Sequence, residues 1–207
     1  LEQIVPSREI KEKQRLTGLD MRMLENPVLA IEQSKKEIER MGDSCEKMLD
    51  ILSELRQKSA PASMLSSKLR QYEMSLDTIQ EEIASFMTKL FTSALPTDTA
   101  DEVRRQLRIA HEYESVSDCI DNLERLEEKM RQTEDWQPSK FHQGITGLSE
   151  KTNSVLAGIN TAFRTNDHEF LKEFVSAKEH VQTQVKQIRS NQLEQLSNAD
   201  VSPAITS

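Results

Sequence analysis

The stretch LSSKLRQYEMSLDTIQEEIASFMTKL, residues 65–90, decides the fold. Its large apolar residues fall at Leu65, Leu69, Tyr72, Leu76, Ile79, Ile83, Phe86 and Leu90, alternating steps of four and three. Only a backbone with about 3.6 residues per turn brings such positions to one side, so the stretch predicts one long amphipathic helix. Pro96 closes it.

The same period extends outward in both directions. Upstream, Ile38, Met41, Cys45, Met48, Leu52 and Leu55 share one face of a helix expected over 27–57, with Asn26-Pro27 as its cap and Ser59-Ala60-Pro61 as its end. Downstream, a third helix starts near Asp98 or Thr99 and carries Ile109, Tyr113, Val116, Ile120, Leu123 and Met130, fading at Trp136-Gln137-Pro138. A fourth stripe runs Phe141, Ile145, Leu148, Thr152, Val155, Ile159 and Ala162, and Arg164-Thr165-Asn166-Asp167 turns the chain. The fifth runs Phe170, Phe174, Ala177, Val181, Val185 and Ile188, with a polar continuation to about Leu196. Five helices on short loops imply antiparallel neighbours in an elongated all-α bundle.

Composition agrees and excludes alternatives. Five Gly and six Pro in 207 residues are too few for the turns of a sandwich or barrel. With 27 Lys and Arg against 35 Asp and Glu, the net charge of −8 opposes phosphate backbones, and no basic block reverses it locally. Nucleic acid is therefore not an expected partner. No apolar run reaches the roughly 18–20 residues of a membrane span and no signal peptide leads the chain, so the chain is expected to be soluble. Cys45 and Cys119 fall within helical patterns, where they read as small buried residues in a reducing compartment.

The carboxylates form lines. With Ile38 at heptad position a, Glu39, Asp43, Glu46 and Asp50 lie away from the apolar seam, as an outward line on the first helix. Glu114, Asp118 and Asp121 repeat that spacing on the third helix, and Glu73, Asp77 and Glu81 stack one turn apart on the second. Like charges at such spacing cost a few tenths of a kcal/mol per pair. A line kept only for solubility normally interleaves Lys or Arg, as Asp43 with Lys47 does, whereas Glu114, Asp118 and Asn122 have no such neighbour. Spacing by itself favours a solvated acidic face; a site for hard or borderline cations such as Mg, Mn or Fe is the alternative.

Enzyme signatures are missing from the sequence. None of His111, His142, His168 and His180 has a Glu three residues before it, and there is no Gly-rich phosphate loop, Cys-x-x-Cys or Gly-x-Ser-x-Gly elbow. The expectation is a protein that is not an enzyme.

The run His111-Glu112-Tyr113-Glu114-Ser115-Val116-Ser117-Asp118-Cys119-Ile120-Asp121-Asn122-Leu123 resembles the third helix of the PhoU-like family, whose signature is E-x-x-x-D with Asn commonly following four residues later. The second helix of that repeat usually supplies another acidic pair, which Glu73 and Asp77 resemble. The resemblance implies a metal face, mono- or multinuclear, holding Mg, Mn, Fe or Zn. Its implied ligands are Glu73, Asp77, Glu114, Asp118 and Asn122; Glu39 and Asp43 are further candidates that the family motif does not clearly include.

Leu19-Asp20-Met21-Arg22-Met23-Leu24-Glu25-Asn26-Pro27-Val28-Leu29-Ala30-Ile31, followed by Glu37-Ile38-Glu39-Arg40-Met41-Gly42, resembles the junction and first helix of PhoU-like domains attached to sodium/phosphate cotransporters. That resemblance implies a linker over 1–25 after a membrane part, a first three-helix repeat over 26–137, helices four and five of a second repeat over 138–198, and a disordered tail over 199–207. The start at Leu1 without Met fits a piece of a longer protein. The resemblance implies a second repeat whose sixth helix is not among these residues, so an apolar strip on helices four and five is expected to invite a homodimer.

The implied function is a regulatory domain at the cytoplasmic face of the membrane, docking on the transport domain of its own parent chain and controlling phosphate transport through metal-dependent shape change. Two alternatives remain open: a free-standing PhoU-like negative regulator of phosphate uptake and signalling, and a metal-free helical scaffold that dimerises.

Overall fold

The computed structural model describes residues 16–57, 61–92, 94–132, 140–167 and 170–197. The expected tail, the first fifteen residues of the expected linker, the break at Trp136-Gln137-Pro138 and the side chains of Phe141, Phe170 and Ala177 lie outside what is described. A short 3-10 helix, Met21–Glu25, leads into α1 (Pro27–Gln57), α2 (Ala62–Phe91), α3 (Thr97–Arg131), α4 (Lys140–Thr165) and α5 (Phe170–Ser197). The described residues contain no strand.

The helices begin and end where the local chemistry requires. The Asn26 side chain accepts from the backbone N–H groups of Val28 and Leu29, satisfying donors that the first turn of α1 leaves without partners. At the end of α4, Asn166 takes φ = 53°, in the left-handed region, and the following N–H of Asp167 donates back to the Ala162 carbonyl at 3.0 Å. Asn tolerates that conformation better than other non-glycine residues, so it can stop the helix and reverse the chain.

α1, α2 and α3 pack against one another as a three-helix core, α4 docks on α1, and α5 packs on α4. Both predicted seams are buried: Ile38, Met41, Cys45, Met48, Leu52 and Leu55 of α1 face Leu65, Leu69, Leu76, Ile83, Phe86 and Leu90 of α2. Each such Leu, Ile or Phe contributes about 1.5–3 kcal/mol when fully withdrawn from water. Helix directions alternate from α1 to α3. Ser66, near the start of α2, bonds Glu124 near the end of α3, and Arg56, at the end of α1, reaches Glu127 on the same α3 turn.

α3 departs from the expected register. Its buried row is Val103, Gln106, Ala110, Tyr113, Ser117, Ile120, Glu124 and Glu127, while Ile109, Val116 and Leu123 pack only partly buried along the flank. Small Ala110 and Ser117 let α3 settle deep in the groove between α1 and α2. Of the polar members of the row, Ser117 bonds the Glu114 carbonyl, Gln106 bonds Glu102, and Glu124 and Glu127 meet Arg131 and Arg56, while Gln106 Oε1 and Glu124 Oε2 are left without hydrogen-bond partners. Rotation of α3 also places Cys119 at the surface, contrary to the expectation of a core thiol; Cys45 is buried as expected.

The described part of the leading segment is docked. Glu82 of α2 accepts the N–H groups of Leu16 and Thr17 and the Thr17 hydroxyl, Glu37 of α1 accepts the Gly18 N–H at 2.9 Å, and Leu19 is buried. Among the described residues no helix is long and apolar enough to cross a membrane.

Candidate functional site

Glu73 and Asp77 follow buried or half-buried Tyr72 and Leu76 by one position, and Asp118 follows buried Ser117 in the same way. A residue one step past a seam position lies about 100° round the helix, at the rim of the interface. Because α2 and α3 run antiparallel, the two rims meet. One carboxylate oxygen from each of Glu73, Asp77 and Asp118 lies within 4.8 Å of the other two.

Three negative charges this close oppose one another, and the surroundings do little to offset them. Burial pushes the Glu73 carboxyl up, with Asp77, Asp121 and Asp118 adding to the effect, and Arg125 acts against it. Burial likewise raises Asp77, aided by the charges of Asp118 and Glu81. Arg125 is itself engaged, its Nε donating to Asp121 at 2.5 Å. The Asp77 Oδ1 atom is buried without a hydrogen-bond partner.

An orphaned buried oxygen within a set of mutually repelling carboxylates fits a hard divalent cation. Three carboxylate oxygens suit Mg²⁺ or Mn²⁺, which take oxygen donors and retain water in the remaining positions. The set offers no imidazole or thiolate, so it suits Zn²⁺ less well, and Fe²⁺ falls between.

The other implied ligands lie elsewhere. Glu114, one turn before Asp118, faces His111, whose Nδ1 is 3.2 Å away, and Asn122 is exposed. Neither joins the cluster of three. Glu39 lies half-buried on α1 and is also outside it.

The outward acidic line on α1 requires correction, because α4 covers it. Asp43 is ion-paired with Arg164, Glu46 accepts from the Asn160 amide, and Asp50 accepts from Asn153 Nδ2 at 2.9 Å. Lys35 and Arg56 extend the same antiparallel contact, reaching Asn166 just past the end of α4 and Ser149 within it. Polar groups of α4 thus take the place that solvent or a cation was expected to fill. Asp43 in particular has its charge matched by a guanidinium.

Two buried polar groupings escaped the sequence reading. In the first, the Tyr113 hydroxyl donates to Asn160 Oδ1 at 2.5 Å, and burial raises the pKa of that hydroxyl. The neighbouring Cys45 thiol, whose Sγ lies 3.4 Å from the Tyr113 carbonyl, is pushed up to about 12 by burial and by the charge of Glu46. In the second, Arg56 donates through Nε and Nη2 to Glu127 Oε1 at 2.9 and 2.6 Å, with both side chains about nine-tenths buried. Arg131 and Ser66 meet the neighbouring, fully buried Glu124 at 3.1 and 2.6 Å. A signal for it existed: Glu127 stands one heptad after Ile120, where the apolar stripe of α3 skips a position.

No protein-family model matches the chain, and neither does any curated protein or solved structure.

Proposed function

We propose that this chain is a regulatory helical module of the PhoU-like kind, belonging to a sodium-dependent phosphate cotransporter and acting by docking rather than by catalysis. In this reading Glu73, Asp77 and Asp118 hold a divalent cation, Mg²⁺ or Mn²⁺ by their donor chemistry, that ties α2 to α3 and sets the shape of the docking surface. The partner is the membrane transport domain of the same parent chain, at its cytoplasmic face. The observation that carries the reading is the convergence of Glu73, Asp77 and Asp118 from two helices, with Asp77 Oδ1 left unpaired. These are three of the five residues singled out by the resemblance in sequence.

The test is phosphate uptake by the full-length parent, wild type against Asp118→Asn, with and without chelator. The reading expects Asp118→Asn to change uptake only when divalent cation is present, because cation binding and docking are linked. Equal uptake and an equal response to chelator in both proteins would reject it.

A metal-free helical scaffold is the second reading. It is favoured by the α1 acidic line, which is consumed in the contact with α4 rather than left open. In that case removing a carboxylate from the α2–α3 cluster relieves repulsion and changes nothing else.

A further inference from the structure

At the turn that closes the α4–α5 hairpin, four helices enclose a cleft of about 300 Å³. Ile109 of α3, Ile159, Ala162 and Phe163 of α4, and Phe174 of α5 contribute its apolar wall. The volume is at the small end of the range for small-molecule sites, and an apolar wall with a few polar groups at its edge is their usual makeup.

The charges at the mouth are unequal in what they have available. Arg105 is ion-paired with Glu102, which also accepts from Gln106 Nε2 at 2.9 Å. Among the described residues Lys35 of α1 has only neutral partners: its Nζ is 3.1 Å from Asn166 Oδ1 and 5.6 Å from the centre of the Phe163 ring. Among the described residues no carboxylate lies within ion-pair reach of Lys35. Its ammonium is held in place by the amide and the ring face, at the edge of an apolar cavity.

We propose that this cleft binds a small amphiphile with one carboxylate head, the tail against Ile159, Phe163 and Phe174 and the head on Lys35. Glu102 and Asp167 also line the cleft, so a monoanion is preferred over a doubly charged phosphate monoester. A ligand there touches α1, α3, α4 and α5 together, so its binding fastens the hairpin to the three-helix core. The inference is independent of the carboxylate cluster between α2 and α3.

The experiment is calorimetric titration of the chain with sodium octanoate and, separately, with 1-octanol, repeated on Lys35→Met and Ile159→Trp. Octanoate is expected to bind the wild type about tenfold more tightly than octanol, the value of one charge-assisted contact, and to raise the melting temperature. Lys35→Met should abolish the preference while retaining octanol binding. Ile159→Trp, which fills the cleft, should weaken both ligands. Absence of octanoate binding to the wild type, equal affinity for the alcohol, unchanged affinity in Lys35→Met, or unchanged affinity in Ile159→Trp would each overturn the assignment.

Discussion

Gly42 of α1 lies directly beneath Asn160 of α4. A methyl group built on Gly42 would stand 2.6 Å from Asn160 Oδ1 and 3.0 Å from the Tyr113 hydroxyl. Glycine within a helix costs about 1 kcal/mol relative to alanine. Here it leaves the space in which Asn160 is buried, accepting from Tyr113 and donating to Glu46. The pair thus explains how α4 comes close to the three-helix core.

Gly42→Ala tests that relationship. The gain in helix propensity should be outweighed by overpacking against Asn160, for a net loss of about 1–2 kcal/mol. Thermal unfolding should show a lower midpoint, and amide exchange should accelerate in α4 more than in α2. A raised midpoint would mean that Asn160 yields freely and that Gly42 is not what admits α4.

Tyr113→Phe removes the hydroxyl and leaves Asn160 Oδ1 buried without that donor, a loss of about 1–3 kcal/mol in urea unfolding. The raised pKa of the Tyr113 hydroxyl makes a second, spectroscopic expectation. Since the folded pKa exceeds the unfolded one, the part of the stability that depends on the neutral phenol is fully present at neutral pH and is lost as alkali ionises it. In Tyr113→Phe that part of the alkaline loss should vanish.

The Arg56–Glu127 pair is buried, so its two halves should not behave additively. Arg56→Met leaves the Glu127 charge without its closest partner and should cost about 3–5 kcal/mol. Arg56→Met combined with Glu127→Leu should recover most of that loss, because burying neither charge is cheaper than burying one. A double variant as unstable as the sum of its single variants would show that the two residues act independently.

The carboxylate cluster predicts opposite pH responses with and without cation. Glu73 and Asp77 have folded pKa values above their ordinary ones, so the cation-free fold is favoured at acid pH and loses that advantage as pH rises through the folded values. Asp77→Asn should therefore raise the cation-free melting temperature at neutral pH, and this gain should shrink on acidification. Stabilisation by Mn²⁺ should run the other way, largest at neutral pH and fading as protons compete for the carboxylates. An Asp77→Asn variant less stable than wild type in chelator would contradict the raised value.

The seams of α1 and α2 were legible in the sequence because an uninterrupted alternation of three and four fixes a helix face with no help from its surroundings. Asn26 and Asn166 were legible as helix punctuation for the same reason, since capping is local chemistry. The register of α3 was not, because Gln106, Ser117, Glu124 and Glu127 are buried only by virtue of partners or neighbours on other helices. Nor was the fate of the α1 acidic line. Asp43 finds Arg164 at a separation of 121 residues, and no heptad in one helix tells which of its flanks a fourth helix will cover. Of the implied ligands, Glu73, Asp77 and Asp118 come together because antiparallel rims one step past a seam must meet. Glu114 holds the same rim position, one step past Tyr113, but lies a turn away beside His111, and Asn122 is exposed.

Binding of Mn²⁺ to the chelator-stripped chain, followed by the electron paramagnetic resonance of the free ion, tests the central claim most directly. The account predicts one saturable site in the wild type, weakened about tenfold or more in both Asp77→Asn and Asp118→Asn, and unchanged in Glu39→Gln. A wild-type chain that leaves the Mn²⁺ signal at its free-ion intensity, or cluster variants that bind as the wild type does, would contradict it.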